Sequence, residues 1–185
     1  MASSSELNIA HDLLGAIVDQ DLAEVRRLVQ EHPWLVTDRV PESDDTWLQT
    51  ACRRKNPALV CLMLDLEFSP SPQPGKSGSY PLSVSITLKQ KEITEMLLER
   101  GANPNIERPI IAAINLHPVE EAGKYVKILV EHGCDLNRVY DLYGDKDNGF
   151  TALDWAKEKP AIAEYIRSKG GLSVVEVRSG KLPTV

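Results

Sequence analysis

Two stretches of the chain end alike, Met96-Leu-Leu-Glu-Arg-Gly-Ala-Asn-Pro-Asn105 and Ile128-Leu-Val-Glu-His-Gly-Cys-Asp-Leu-Asn137. In each stretch an apolar helical pattern runs into a basic residue and then a glycine. Glycine adopts the left-handed conformation that ends a helix, and a cation just before it meets the negative end of the helix dipole. A more degenerate copy is Tyr165-Ile-Arg-Ser-Lys-Gly-Gly171. The sequence therefore predicts helices that end at regular intervals.

Matching helix starts lie upstream of these ends. They are Thr46-Trp-Leu-Gln-Thr-Ala-Cys52, Tyr80-Pro-Leu-Ser-Val-Ser-Ile86, Pro109-Ile-Ile-Ala-Ala-Ile114 and Thr151-Ala-Leu-Asp-Trp-Ala156. Thr46 with Gln49, and Thr151 with Asp154, have the spacing of a capping box. A small residue recurs at one equivalent position of each first helix, where it lets neighbouring helices approach closely: Ala16, Ala51, Ser85, Ala113 and Ala156.

These starts and ends resemble the ankyrin repeat, whose start is Thr-Pro-Leu-His-x-Ala and whose period is about 33 residues. The resemblance implies an all-α fold, an ankyrin-repeat solenoid of about five helix-turn-helix units with degenerate terminal repeats. Residues 1–8 form an N-terminal leader, residues 9–171 the repeat domain, and residues 172–185 a C-terminal tail. The expected units are 9–40, 41–69, 76–105, 106–137 and 147–171.

Four segments depart from the pattern. Residues 70–78 are rich in proline and glycine, so we expect a mobile loop there. Residues 115–124 contain about four more residues than the repeat needs between its two helices, and residues 138–148 form a long excursion before the last unit. In the tail, three valines between residues 174 and 177 favour an extended segment or a final cap.

Composition narrows the function classes. The 185 residues contain 21 basic and 27 acidic side chains, a formal net charge of −6. That balance argues against a nucleic-acid binder, which needs a basic surface. No apolar run approaches the roughly 18 residues of a membrane helix, and the first residues lack a secretory signal. Three cysteines at irregular spacing do not describe a disulfide framework. We expect a cytoplasmic protein, without nucleic acid or membrane as partner.

Catalytic and metal-binding motifs are absent from the sequence. Cys52, Cys61 and Cys134 occupy packing positions of the repeat, and no histidine is predicted beside them to act as a base. The spacings typical of zinc sites and of phosphate-binding loops are missing. We therefore expect no enzyme activity, no cofactor and no metal. Trp155 replaces an aliphatic residue of the repeat and is predicted to lie in the core.

The ankyrin resemblance implies that the first helices and the turns before them bind a partner protein. Residues after the small position are predicted to face this concave surface: Arg53, Arg54, Leu88 and Leu116. The two leucines have an alternative role, packing against an adjacent loop. Trp47 stands where proline usually opens the helix, and we expect it to be partly exposed.

Two turns are acidic. The turn before the second unit contains Glu42 and Asp45, and the one before the fifth contains Asp141, Asp145 and Asp147. Two tyrosines interleave the second turn, and tyrosine is enriched where proteins meet: Tyr140 and Tyr143. The hypothesis is that both turns bind a partner with a basic patch. The structural alternative is that the tyrosines pack this excursion onto the fourth unit.

The resemblance leaves two functions open. Residues 142–156 are similar to the final repeat of small bacterial ankyrin proteins, several of which resemble immunity proteins that block a toxin. On that hypothesis the chain is an inhibitor that covers a functional face of its partner. The alternative is a regulatory scaffold or adaptor that binds a peptide or folded partner without inhibiting it. In either case we expect a monomer when the partner is absent.

Overall fold

The computed structural model describes residues 4–37, 40, 41, 43, 45–71, 80–142 and 145–183, with no side chain described at 142 and 145–148. The protein is mostly helical, at 61% helix, which confirms the all-α expectation at that level. The chain divides into two compact units, Met1–Asn103 and Pro104–Val185. The expected loop at 70–78 falls largely outside the described residues.

The described part of the first unit contains three helix pairs. Their members are α1 (Ser4–Asp19) with α2 (Leu22–Glu31), α3 (Trp47–Arg53) with α4 (Pro57–Asp65), and α5 (Pro81–Thr87) with α6 (Lys91–Glu99). A short 3-10 helix, Pro33–Val36, follows α2. Helix α1 begins at Ser4, inside the segment for which the sequence predicted a leader.

Among its described residues, the second unit contains two helix pairs, a pair of antiparallel strands and a further helix near the C-terminus. They are α7 (Pro109–Ile114) with α8 (Val119–Glu131), β1 (Tyr140–Leu142) with β2 (Asp145–Phe150), α9 (Ala152–Trp155) with α10 (Pro160–Ser168), and α11 (Val174–Arg178). The two strands are antiparallel, with Tyr140 opposite Phe150, and an irregularity shifts the register between Tyr140 and Leu142.

Within each unit, first helices pack against first helices, and second helices pack against second helices. In the first unit α3 contacts both α1 and α5, while α4 contacts both α2 and α6. In the second unit α7 contacts α9, and α8 contacts α10. The small side chains predicted for the first helices are all buried, and four of the five are 0% exposed: Ala51, Ser85, Ala113 and Ala156. The absence of bulk at these positions allows the close contacts between first helices.

The helix ends follow the predicted local chemistry. Capping boxes form at Thr46 with Gln49 and at Thr151 with Asp154, where each threonine side chain accepts an N–H and each partner side chain accepts one in return. The second helices of three pairs end at a glycine with positive φ: Gly101, Gly133 and Gly170. Glu67 occupies the same place after α4 with φ +68°, a conformation that costs a residue with a Cβ more than it costs glycine.

In three of the described helix pairs, the residue that caps the second helix also bonds to the preceding helix pair. The Asn56 amide donates to the Gln20 side chain at 2.9 Å, and the Gln90 amide donates to the Cys52 carbonyl at 2.7 Å. In the second unit the Lys159 ammonium donates to the Leu116 carbonyl at 2.9 Å and also to that of Ile114. These lateral bonds tie one pair to the next within each unit.

Three predicted departures differ in the structure. The extra residues of 115–124 do not form a loop between helices, because they lengthen α8, which begins at Val119 and has 13 residues where α6 has 9. Glutamates in the first turn of α8 favour this start. The excursion at 138–148 becomes the hairpin. The valines of the tail form helix α11 and no extended segment, because Ser173 and Glu176 supply a capping box.

Candidate protein-binding surface

Trp155 is an exposed aromatic residue of the second unit. Its side chain is 37% exposed, and its ring stacks on Phe150 with centroids 4.7 Å apart. The indole Nε1 donates to Asn115 Oδ1 at 2.8 Å, which links α9 to the end of α7. The prediction of a core position was wrong, because the four-residue helix α9 is too short for periodicity to assign its buried face. Ala152 and Ala156 take that face.

A groove of about 830 Å³ surrounds Trp155. Its apolar lining comes from α7, the end of β2, α9, α10 and the start of α11, and its charged groups come from α9, α10 and the turn between them. The apolar members are Ile114, Phe150, Leu153, Ala163 and Val174, and the charged ones are Asp154, Lys157, Glu158, Lys159 and Arg167. An open groove with an aromatic centre and a charged rim has the composition of a protein interface.

Internal bonds hold the groove in shape. Besides the Lys159 bonds to α7 described above, the Asp154 carboxylate accepts the Thr151 hydroxyl at 2.9 Å and the Val174 N–H at 2.7 Å. Arg167 pairs with Glu176 at 2.6 Å. Hydrogen bonds from Lys181, from the Ser173 backbone and from Arg167 hold the pKa of Glu176 well below its usual range. The groove is therefore largely preformed for a ligand, which reduces the ordering cost of binding.

The aromatic contacts continue from the groove to the hairpin. Phe150 lies 5.8 Å from Tyr140, centroid to centroid, and Tyr140 is buried. The guanidinium carbons of Arg108 and Arg138 lie 5.9 and 5.6 Å from the centre of the Tyr140 ring. Burial raises the pKa of Tyr140 to about 12. Tyr140, Phe150 and Trp155 thus form a continuous line of rings, which we call the aromatic line.

The two arginines at the Tyr140 end are fixed by backbone acceptors. Arg108 donates to the Asp141 carbonyl at 2.8 Å, and Arg138 donates to the Asn105 carbonyl. Both arginines are exposed and, with Glu107 and Asp141, line a second cavity of about 420 Å³. Two guanidinium groups therefore lie beside the turn that was predicted to be acidic, one of them from the residue before α7.

The acidic turn of the first unit is also partly neutralised. Asp45 lies 3.5 Å from Arg53 and accepts a hydrogen bond from Gln49 at 3.3 Å. These two predicted site residues are thus brought together as an ion pair. Glu42 and Tyr143 lie outside the described residues. Asp145 and Asp147 are placed on strand β2, and their side chains also lie outside the described part.

Several predicted contact residues are not exposed. Trp47 is 1% exposed, so the prediction of partial exposure was wrong, because the first residue of α3 points into the first unit's core. Leu116 is 7% exposed, and the packing alternative holds for it. Leu88 and Arg54 are half-buried. Tyr140 packs against Phe150, as the structural alternative for this turn required.

The sequence arguments missed Phe150 and the groove around Trp155. A usable signal was present, since Phe150 precedes the Thr151 cap at the place where a hydrophobic residue often packs against the following helix. The bond between Trp155 and Asn115, however, joins residues 40 positions apart. No local pattern indicates such a contact.

The cysteines divide into two kinds. Cys52 and Cys134 are buried, and burial raises the pKa of each thiol to about 12. Cys61 is only half-buried, contrary to the buried position predicted for it, and Arg100 lies 4.0 Å from its sulfur. Among the residues that the structure describes, no three His, Cys, Asp or Glu side chains are grouped so as to hold a metal ion.

Comparison with models of known protein families found no match for this chain. Comparison with curated proteins likewise found no match. Within the described part of the chain, no helix combines the length and the apolar character that crossing a membrane requires. The contacts within the chain are therefore the basis for a functional proposal.

Proposed function

We propose that the chain is an ankyrin-type repeat protein that acts without catalysis, by binding another protein. The observation that carries this proposal is the exposed Trp155 at the centre of a preformed groove. Tryptophan is among the residues most enriched at the energetic centres of protein interfaces. Here its ring is fixed by Phe150 and Asn115, so little side-chain entropy is lost when a partner covers it.

The repeat assignment is supported by the paired helices and by the bonds that tie one pair to the next. Non-catalytic action is supported by the thiol chemistry, because an attacking cysteine needs a lowered pKa and those of Cys52 and Cys134 are raised. Three free cysteines fit a reducing compartment, which supports a cytoplasmic protein.

The test is a comparison of the intact protein with Trp155→Ala as bait in a lysate of the source cells, followed by calorimetry with the purified partner. We expect a protein that the intact chain retains and the variant loses, with affinity reduced at least about tenfold. Leu7→Ala and Val18→Ala are matched controls, since these exposed apolar side chains of α1 lie in the first unit. Equal binding by Trp155→Ala and the intact chain would remove the basis of the proposal.

The same experiment separates the two modes of action. If the chain is an inhibitor of the immunity type, the captured partner loses its activity when the complex forms. If it is a scaffold, the partner keeps its activity in the complex. The activity of the purified partner, measured with and without the chain, decides between them.

A further inference from the structure

Helix α1 has two apolar faces, and only one of them is covered by the residues that the structure describes. The covered face packs on α2 and α3. Its members are Ala10, Leu13, Ala16 and Ile17. The members of the second face, which we call the α1 stripe, are Leu7, His11, Leu14, Gly15 and Val18. Leu7 and Val18 are 41% and 42% exposed, and Leu14 is half-buried.

The spacing of the α1 stripe is that of a surface against which another helix packs. Its members follow Leu7 by four, seven, eight and eleven residues, so they lie on one side of a helix with 3.6 residues per turn. The stripe is about 16 Å long at a rise of about 1.5 Å per residue. Ridges of side chains with this spacing pack into the grooves of a second helix.

Gly15 is a member of the stripe that packing within the chain does not explain. It lies in the interior of a helix of 16 residues, where only proline is less favourable than glycine. A Cβ added at Gly15 would meet no atom within 4 Å among the described residues, so the fold leaves room for a larger side chain. A glycine on an exposed helix face lets the backbone of another molecule approach closely.

The charge around the stripe is negative. Helix α1 contains three carboxylates and no lysine or arginine. Two of these carboxylates, Asp12 and Asp19, stand three residues before Gly15 and four residues after it, so they are its neighbours on the helix surface. Both are exposed, and no ion pair of the described residues involves either of them.

The neighbouring helices do not reverse this sign. On α2, Arg27 pairs with both Glu24 and Glu31, and on α3 Arg53 pairs with Asp45. Residues 1–56, which include α1, α2 and α3, contain ten acidic and six basic side chains. Their net charge of −4 counts every side chain of this segment, including those outside the described residues.

Beyond the proposed function of the groove in the second unit, we propose that the α1 stripe binds a helix of another protein whose apolar face is flanked by lysine or arginine. The apolar face of this helix covers Leu7 and Val18. Its backbone crosses α1 near Gly15, and its basic groups reach Asp12 and Asp19. A second copy of α1 is disfavoured as the occupant, because it brings further carboxylates and no cation to the surface.

Two helical peptides of equal length test the charge preference on the full-length chain. They share one apolar face, which is flanked by lysines in one peptide and by glutamates in the other. Fluorescence anisotropy measures binding, and the methyl signals of Leu7 and Val18 in nuclear magnetic resonance spectra locate it. We expect the lysine peptide to shift these signals and to bind at least about tenfold more tightly than the glutamate peptide. Trp155→Ala should bind the lysine peptide as tightly as the intact chain does, which separates this surface from the groove.

Gly15→Ala separates binding from folding. Its methyl group lies in open space in the free chain and alanine favours the helix, so the melting temperature should rise by about 2–4 °C. The same methyl group keeps the partner's backbone away from α1, so the variant should bind the lysine peptide at least about fivefold more weakly. Gly123→Ala is the matched control, at a glycine inside α8 that also borders open space. It should raise the melting temperature similarly and leave binding unchanged.

Replacement of the carboxylates tests the charge directly. Asp12→Asn combined with Asp19→Asn should weaken binding of the lysine peptide and leave the glutamate peptide no weaker than before. Glu92→Gln combined with Glu99→Gln is the control, since these exposed glutamates of the same unit lie on α6. An equal loss in the control would show general attraction to an acidic protein and contradict the location.

Three further outcomes overturn the inference. Equal or tighter binding of the glutamate peptide contradicts a basic partner, and unchanged affinity in Gly15→Ala contradicts a close approach to α1. If sedimentation shows that the intact chain dimerises and that Val18→Ser is a monomer, the occupant is a second copy of the chain. None of these outcomes alters the capture experiment with Trp155→Ala, which tests the proposed function separately.

Discussion

Asn137 makes the same pair of hydrogen bonds as Asn105, one helix pair further along the chain. The Asn105 amide donates to the Gly133 carbonyl at 3.1 Å and accepts the Asp135 N–H at 2.7 Å. The Asn137 amide donates to the Gly170 carbonyl at 3.1 Å and accepts the Leu172 N–H at 2.7 Å. Each asparagine thus satisfies two backbone groups of the turn that closes the following helix pair, which is a repeat expressed in contacts as well as in sequence.

Replacement of Asn137 should destabilise the second unit. In Asn137→Ala the Gly170 carbonyl and the Leu172 N–H both lose their partner, at a cost of about 1–3 kcal/mol in the free energy of unfolding. Urea denaturation followed by circular dichroism measures this change. Asn115→Ala is the control, because it removes one surface bond, to Trp155, and should cost less than about 1 kcal/mol. Equal losses in the two variants would contradict the bridging role of Asn137.

Glycine at position 67 should stabilise the protein. Glu67 has φ +68° at the turn after α4, where three other second helices use Gly101, Gly133 or Gly170. Relief of this conformation outweighs the greater freedom of glycine in the unfolded chain, so Glu67→Gly should raise the free energy of unfolding by about 0.5–1 kcal/mol. Thermal and urea denaturation both report the change.

The control for this substitution lies inside a helix. Glu99→Gly, in α6, should lower the free energy of unfolding by about 1 kcal/mol, because glycine is a poor helix former. If Glu67→Gly were as destabilising as Glu99→Gly, the backbone at 67 would not have the left-handed conformation.

The two tryptophans should differ sharply in their effect on stability. Trp47 is buried in the core of the first unit, so Trp47→Ala should cost about 3–5 kcal/mol through the cavity it leaves. Trp155→Ala removes an exposed ring and one hydrogen bond, and should cost about 1 kcal/mol. Chemical denaturation of both variants gives the comparison. A larger loss for Trp155→Ala than for Trp47→Ala would place Trp155 in the core after all.

One thiol should react much faster than the other two with a disulfide reagent at neutral pH. Cys61 is half-exposed, whereas Cys52 and Cys134 are buried with pKa values of about 12, so their thiolates are scarce. The absorbance of the released thiol gives the number and rate of reactive groups in the native protein. Cys61→Ser should abolish the fast phase. A fast phase that persists in Cys61→Ser would show that Cys52 or Cys134 becomes accessible to the reagent.

Stability should fall in alkaline solution because of the same two thiols. Their pKa values in the fold, about 12, stand above the ordinary value of 9.0, so the unfolded chain releases these protons first. The stabilisation is fully present below about pH 9 and is lost as the pH rises toward about 12, by about 1–2 kcal/mol per thiol near pH 10.5. Urea denaturation at neutral and alkaline pH measures the loss. The loss of stability at alkaline pH should be smaller in Cys134→Ala than in Cys61→Ala. An identical pH dependence in these two variants would show that the buried thiols are not its cause.

Local features of the fold could be predicted because their partners lie close together in the chain. The capping boxes at Thr46 and Thr151 involve residues three positions apart, and the turn at Gly101 depends on the absence of one side chain. The small residue at Ala156 was likewise visible as part of a regular series. Such features depend on backbone geometry that one helical turn already contains.

Exposure could not be predicted in the same way. Trp47 and Trp155 stand at opposite ends of short first helices, and each proved to have the exposure expected of the other. Helices of seven and four residues contain too few apolar positions to define a face. The surface around Asp45 and Asp141 was predicted to be acidic, but arginines from other positions in the chain lie beside both residues.

The amino-acid order alone decided where the helices capped by Thr46 and Thr151 begin, where those before Gly101, Gly133 and Gly170 end, and which positions must be small. Only the folded chain decided that Trp155 faces outward over a groove, and that Arg108 lies beside Tyr140. The reason is physical: caps and turns act within a few residues, whereas burial and charge at a surface depend on groups that the chain brings together from 30 or more positions away.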